Sequence, residues 1–208
     1  MIDTKIISII GNGEIPTQAL TKLISEADLI IGADGGANIL STMDVLPNYI
    51  IGDLDSISEA ALKKNLSSQI IHITDQNTTD LEKAVNFAME YKPAEIRIFS
   101  ALGNRSDHAI YNLFFLRSVN YAGTIKTYDN QGYWQIFRAG THLLKGDKNE
   151  IISFFSFDEI LALQVEGTKF NIRNGDYTDP FFSLSNVFSS YYIKLQFRVG
   201  TIFVYRFL

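Results

Sequence analysis

The chain has 208 residues, 46% hydrophobic and 20% charged, with 4 Pro and 14 Gly. That is enough apolar side chain for one or two packed domains, and it excludes a disordered or collagen-like segment. The absence of cysteine excludes disulfides, Cys-ligated zinc and thiol nucleophiles, and a formal charge of −5 gives no basic face for nucleic acid.

No apolar run approaches the ~20 residues of a membrane span. Met1-Ile2-Asp3-Thr4-Lys5 does not open a secretory signal. A cytoplasmic protein without nucleic-acid or membrane partners is therefore expected.

In chain order, residues 5–10, 29–33, 49–51, 70–74, 96–100 and 124–128 read as short buried strands. Helical spacing lies between them. Leu20, Leu23, Ile24 and Ala27 follow Pro16-Thr17, with the proline placed in a first turn. Leu81, Ala84, Val85, Ala88 and Met89 follow Thr79, and Thr79-x-x-Glu82 is a capping box. Ile110, Leu113, Phe114 and Val119 mark a third helix, opened by Ser106-Asp107. This alternation predicts a doubly wound parallel α/β sheet.

Beyond it the period changes. Residues 151–157, 161–165, 169–172, 191–197 and 201–205 read as strands, with hairpin turns at Asn174-Gly175 and Val199-Gly200. Residues 1–133 hold 16 acidic and 10 basic side chains, a net of −6. Residues 134–208 hold 7 acidic and 8 basic, a net of +1, and 16 of the 26 aromatics. The shift predicts an α/β domain over residues 1–133 and a small all-β sandwich over residues 134–208.

In open parallel sheets the ligand site lies beyond the carboxyl ends of the strands. The segments following the predicted strands carry Asp34, Asp53, Asp55, Asp75, Asp80 and Asp107. Each alone fits a turn or a helix cap. Crowded on one rim, like charges need neutralising, and hard oxygen ligands suit Mg²⁺. With Lys83 and Arg105 nearby, the rim points to phosphoryl-type transfer. Gly35-Gly36 permits close backbone approach to an anion. No G-x-x-x-x-G-K-[ST] is present, and Gly11-Asn12-Gly13 does not continue into G-x-G-x-x-G. His72 reads as structural, and His142 carries no constellation.

These loops resemble those of the thiamine pyrophosphokinase family. The matching motifs are Ala33-Asp34-Gly35-Gly36-Ala37-Asn38, Gly52-Asp53-Leu54-Asp55-Ser56, Asp75-Gln76-x-x-Thr79-Asp80-Leu81-x-Lys83 and Gly103-x-Arg105-x-Asp107-His108. Asn112-Leu113, Gly167-x-Lys169-Phe170 and Ser185-Asn186 follow in order. Asn104 departs from a common glycine, and Thr168 and Phe170 depart from a common Gly-Leu-Lys-Tyr or Gly-Leu-Lys-Trp.

The resemblance implies diphosphate transfer from ATP to the hydroxyl of thiamine, with Mg²⁺, giving thiamine diphosphate and AMP. It also implies a homodimer whose sites lie between the α/β domain of one subunit and the β domain of the other. On both readings together, Asp53, Asp55 and Asp75 are expected at Mg²⁺, supported by Asp34 and Asp80. Lys83 and Arg105 are expected on phosphates, with Gly35, Gly36, Asp107 and His108 at the nucleotide. Asp55 or Asp75 is the expected proton acceptor. Asn38, Gln76, Thr79, Ser185 and Asn186 are expected to contact thiamine, with Phe188 as an apolar wall. The rival readings are transfer to another alcohol, such as a hydroxymethylpterin, and a non-catalytic sensor of thiamine diphosphate.

Overall fold

Runs of β-branched residues make the first strands: β1 (Ile6–Ile10), β2 (Leu29–Ala33) and β3 (Tyr49–Gly52). The computed structural model describes residues 5–208, so the reading of the first four residues lies outside it. β4 (Gln69–His72), β5 (Glu95–Phe99) and β6 (Thr124–Tyr128) complete a parallel set in the order β6-β5-β1-β2-β3-β4. The centre of this sheet is dry, with Ile7, Ile9, Ile31, Ile50 and Ile96 all at 0% exposure. β4 is the exception. It is an edge strand with Ile70 half exposed and His72 exposed, not the buried strand its apolar run suggested.

Five helices connect these strands: α1 (Gln18–Ser25), α2 (Gly36–Thr42), α3 (Glu59–Lys64), α4 (Asp80–Glu90) and α5 (Ser106–Ser118). Thr17 caps α1, which leaves Pro16 ahead of the cap instead of inside the first turn. α2 and α3 are short and were not legible as helices. Ser58 caps α3 through Ala61 N, while Glu59 and Lys63-Lys64 complement its dipole. α4 carries the expected capping box and buries Leu81, Ala84, Val85 and Ala88 against β1, β2 and β3. α5 buries Asn112 and Leu116, whereas Ile110 and Phe114 of the predicted stripe are exposed.

The chain divides into two compact units, one ending at Asn130 and the next spanning Gln131–Leu208. That places the boundary three residues ahead of the expected one, because β7 (Gly132–Lys145), unread in the sequence, already runs through residue 133.

The second unit continues with β8 (Ile151–Ser156), β9 (Ile160–Glu166), β10 (Ile172–Tyr177), β11 (Phe181–Val187) and β12 (Tyr192–Phe207). All its pairings are antiparallel. β12 pairs with β7 along its length, with β9 over Lys194–Val199 and with β8 over Phe203–Arg206. Val199-Gly200 is therefore not a hairpin turn but an irregularity within one long strand, with Gly200 at φ +95°. Asn174-Gly175 likewise lies inside β10, where the register to β9 shifts. Lys169 lies outside any strand, and β10 begins at Ile172. The core gathers Ile152, Phe154, Leu163, Val165, Leu195 and Val204, with Phe188 fully buried among them.

Candidate active site

The strand order places β2, β3 and β4 to one side of β1 and β5, β6 to the other, so the order reverses at the β1–β5 pair. Ligands in such sheets bind at this switch point. Here the first unit opens into a cleft of about 440 Å³, lined by the segments after β1, β2, β3, β4 and β5 and by the first turns of α4 and α5.

Two close backbone approaches fix the segments around it. Gly36 opens α2 directly beneath the end of β1, where an added Cβ would stand 1.9 Å from the Ile10 carbonyl oxygen. Gly13 donates its N–H to Ser100 O at 2.7 Å, and a Cβ there would lie 2.5 Å from the same oxygen. Asp34, Leu54, Ser100 and Asn104 all take positive φ in these loops, at 41°, 68°, 55° and 51°. Non-glycine residues hold such angles only where their surroundings fix them, and they concentrate at functional sites.

Three carboxylates converge here. One oxygen from each of Asp34, Asp53 and Asp80 lies within 4.8 Å of the others. Asp34 is 3% exposed; its Oδ2 accepts the Ser56 N–H at 3.1 Å, while its buried Oδ1 has no partner. Burial raises its pKa above 3.8, opposed by Ser56 and reinforced by the negative charges of Asp80 and Asp55. Asp53 is oriented by Gln76, whose Nε2 donates to Oδ2 at 2.9 Å, and this bond is the leading cause of its lowered pKa. Asp80 opens α4 and accepts Lys83 Nζ at 3.0 Å, with the lysine side chain only 5% exposed. A buried carboxylate with one donor-free oxygen, grouped with two further carboxylates, fits a hard divalent cation.

Other expected residues stand elsewhere. Asp55 and Asp75 do not belong to that three-oxygen group. Asp55 accepts Ser56 Oγ at 2.8 Å. Asp75 accepts Asn77 N, Asn77 Nδ2 and Thr78 Oγ1, and these bonds lower its pKa, led by the backbone N–H. Asn38, expected at thiamine, is absent from the cleft lining. Its amide is occupied at both ends, donating to Ser56 O at 2.8 Å and accepting Ser58 N at 2.9 Å, so it braces the Asp53–Ser58 loop.

Gln76, Thr79, Gly35, Lys83, Arg105 and His108 do line the cleft. Gly36, expected at the nucleotide, is absent from the lining. Arg105 grips Asp107 with two bonds, at 3.1 and 2.5 Å, which holds the Asp107 carboxyl down at about 2; both side chains are well exposed. Sequence reasoning missed Asn12, Ser100 and Asn112 as lining residues. The Gly11-Asn12-Gly13 tripeptide after an apolar strand was the signal for Asn12, Asn112 was marked only as part of a family motif, and Ser100 carried no signal beyond ending a strand.

In the second unit, Asn186 is 1% exposed. Its Oδ1 accepts Phe170 N at 3.1 Å and its Nδ2 donates to Phe170 O at 2.9 Å. The Gly167-x-Lys169-Phe170 and Ser185-Asn186 motifs are therefore one clasp. This corrects the direct-contact role expected of Asn186, because its amide is occupied by backbone. Ser185 is exposed, at φ 54°, with its N–H on Ser153 Oγ. Phe188 is wholly buried and offers no face to a ligand, which overturns its reading as an apolar wall.

Residues 20–128 match the model of the thiamin pyrophosphokinase catalytic domain. The thiamine pyrophosphokinase of Bacillus subtilis (strain 168) is 32% identical over 161 residues, covering 74% of this chain and 75% of that one. The chain belongs to the thiamine pyrophosphokinase family. Among solved structures, thiamine pyrophosphokinase from Bacillus subtilis aligns at a TM-score of 0.86 with 29% identity, over 98% of this chain and 99% of that one. Thiamin pyrophosphokinase from Candida albicans aligns at 0.85 with 19% identity, over 99% and 89%, a likeness of fold alone. Among the described residues, no helix is long and apolar enough to cross a membrane.

Proposed function

We propose that this protein transfers a diphosphate group from ATP to the hydroxyl of thiamine. The thiamine oxygen forms a bond to the β-phosphorus, the bond from that phosphorus to the α–β bridging oxygen breaks, AMP departs, and the hydroxyl proton is released. The observation that carries this reading is the convergence of Asp34, Asp53 and Asp80 beside Lys83 at the switch point of the sheet.

Mg²⁺ fits these residues, since Asp34 Oδ1 is a buried oxygen without a donor. Asp34, Asp53 and Asp80 would hold it, with Asp55 and Asp75 as further ligands or the proton acceptor. When bound it neutralises phosphate charge and orients the phosphate chain. Lys83 and Arg105 supply cationic groups to phosphate oxygens, the arginine after exchanging Asp107 for phosphate. Gly35 and His108 lie where the nucleotide would pass, and Gln76 and Thr79 offer polar contacts to the acceptor.

A cytoplasmic homodimer belongs to the same reading. The second unit would lend Ser185 and the clasped Phe170 loop to a partner's cleft, and exposed Phe182, Leu184 and Tyr191 support an apolar contact surface there.

Product analysis with ATP, Mg²⁺ and thiamine tests this. AMP rising in step with thiamine diphosphate, and only with thiamine present, is expected. ADP with thiamine monophosphate would overturn diphosphate transfer. Preference for a pterin alcohol would change the acceptor, and thiamine diphosphate binding without turnover would make the protein a sensor.

A further inference from the structure

Glu82 is a buried carboxylate that the proposed chemistry does not use, 9% exposed and on α4 between Asp80 and Lys83. Its Oε2 accepts the Thr79 N–H at 2.7 Å, and the Thr79 side chain returns the bond through Oγ1. This capping box needs only one carboxylate oxygen. The second, Oε1, accepts the hydroxyl of Tyr111 on α5 at 2.9 Å. Tyr111 is 46% exposed, so burial of its ring does not account for the contact. The adjacent Asn112 donates to Ala101 O at 2.8 Å, fixing the loop that leads to Arg105.

Two neighbouring side chains of one helix thus brace both segments that bring cations to the cleft. Asn112 holds the arginine loop, and Tyr111 holds the first turn of α4.

We propose that Tyr111 is a positioning residue for the cleft: through Glu82 and Thr79 it sets the rotation of the first turn of α4, and with it the places of Asp80 and Lys83. The proposal rests on the phosphoryl-transfer reading above. A misplacement of about 1 Å in a positioned group can cost up to 10²-fold in rate, so a hydroxyl outside the site has leverage over turnover.

Tyr111→Phe tests this, with thermal midpoint and amide exchange measured beside kinetics. The expected result is a fall in kcat of about 5- to 20-fold. KM for thiamine changes by a smaller factor than kcat, because Thr79 is the one expected acceptor contact in the braced turn and Gln76 lies outside it. The midpoint moves by less than about 3 °C. Faster exchange is confined to the Thr79, Glu82 and Lys83 amides bonded in the cap. Glu82→Gln keeps the box and can donate to the Tyr111 oxygen, so it loses less activity than Tyr111→Phe.

An unchanged kcat with unchanged exchange at residues 79–83 overturns the proposal. So does a loss of kcat that follows a general fall in midpoint, with exchange raised throughout the first unit. If the wild-type protein forms no thiamine diphosphate, the functional reading fails by itself, and exchange at residues 79–83, which needs no substrate, decides the positioning.

Discussion

Asn186 grips Phe170 by both of its backbone groups, and Phe170 remains 63% exposed. An exposed aromatic on a loop fixed this firmly is held out at little further conformational cost. Asn186→Ala removes a buried amide together with its loop bonds, a loss of about 2 kcal/mol. The midpoint should fall by roughly 4–8 °C, with protease sensitivity appearing between residues 167 and 171. An unchanged midpoint would mean that other contacts hold the loop.

Asp34 should oppose stability where it supports function. Its folded pKa is raised, so the folded state binds the proton more tightly than the unfolded chain does. The contribution of its protonated form to stability is therefore fully present below the unfolded value of 3.8 and is lost as pH rises through the folded value. Without divalent cation, Asp34→Asn should raise the midpoint at pH 7 by a few degrees, since about 1 kcal/mol moves a domain of this size by roughly 2–4 °C. Mg²⁺ should stabilise the wild type and not the variant. A variant still stabilised by Mg²⁺ would exclude Asp34 from the metal site.

Asp53 and Asp55 are separated by Leu54 at positive φ and turn to different partners. Asp53→Asn should lower turnover by roughly 10²-fold or more. Asp55→Asn should lower it too, without recovery at saturating Mg²⁺. Near-normal turnover of Asp55→Asn under those conditions would remove Asp55 from the metal.

Gly36→Ala should be poorly tolerated, because the atom blocking its Cβ is backbone, the Ile10 carbonyl oxygen at 1.9 Å. A loss of about 3 kcal/mol or more is expected, read as low soluble yield or an early denaturant midpoint. Wild-type stability in this variant would require α2 to begin elsewhere.

Asp107→Ala should leave the midpoint where it is, since its pair with Arg105 is exposed on both sides. Releasing Arg105 should instead change KM for ATP, with a dependence on ionic strength. A constant KM would place Arg105 away from the phosphates.

The parallel strands, the α4 cap and the carboxylate loops were legible because period, capping and turn chemistry are local. Thr79 and Glu82 are three residues apart and meet as their spacing requires. What was not legible depends on distance along the chain. Asn38 looks like a contact residue until Ser56 and Ser58 fold back onto its amide, and Asn186 until Phe170 does. Phe188 carries no local mark separating a wall from a core, a difference made by Gly146, Arg206 and the strands around it. β12 outruns the usual strand length, so its inner irregularity at Gly200 read as an ending.

The reach of β12 has a consequence for the order of assembly. β7, β8 and β9 each take it as a neighbour, and it is the last of these strands to be synthesised. The second unit must therefore wait, its three earlier strands each lacking a ladder, until residue 207 has left the ribosome. The cleft does not wait. Its lining side chains all fall between residues 11 and 112, so that half can close on the nascent chain before the other half has found its seam.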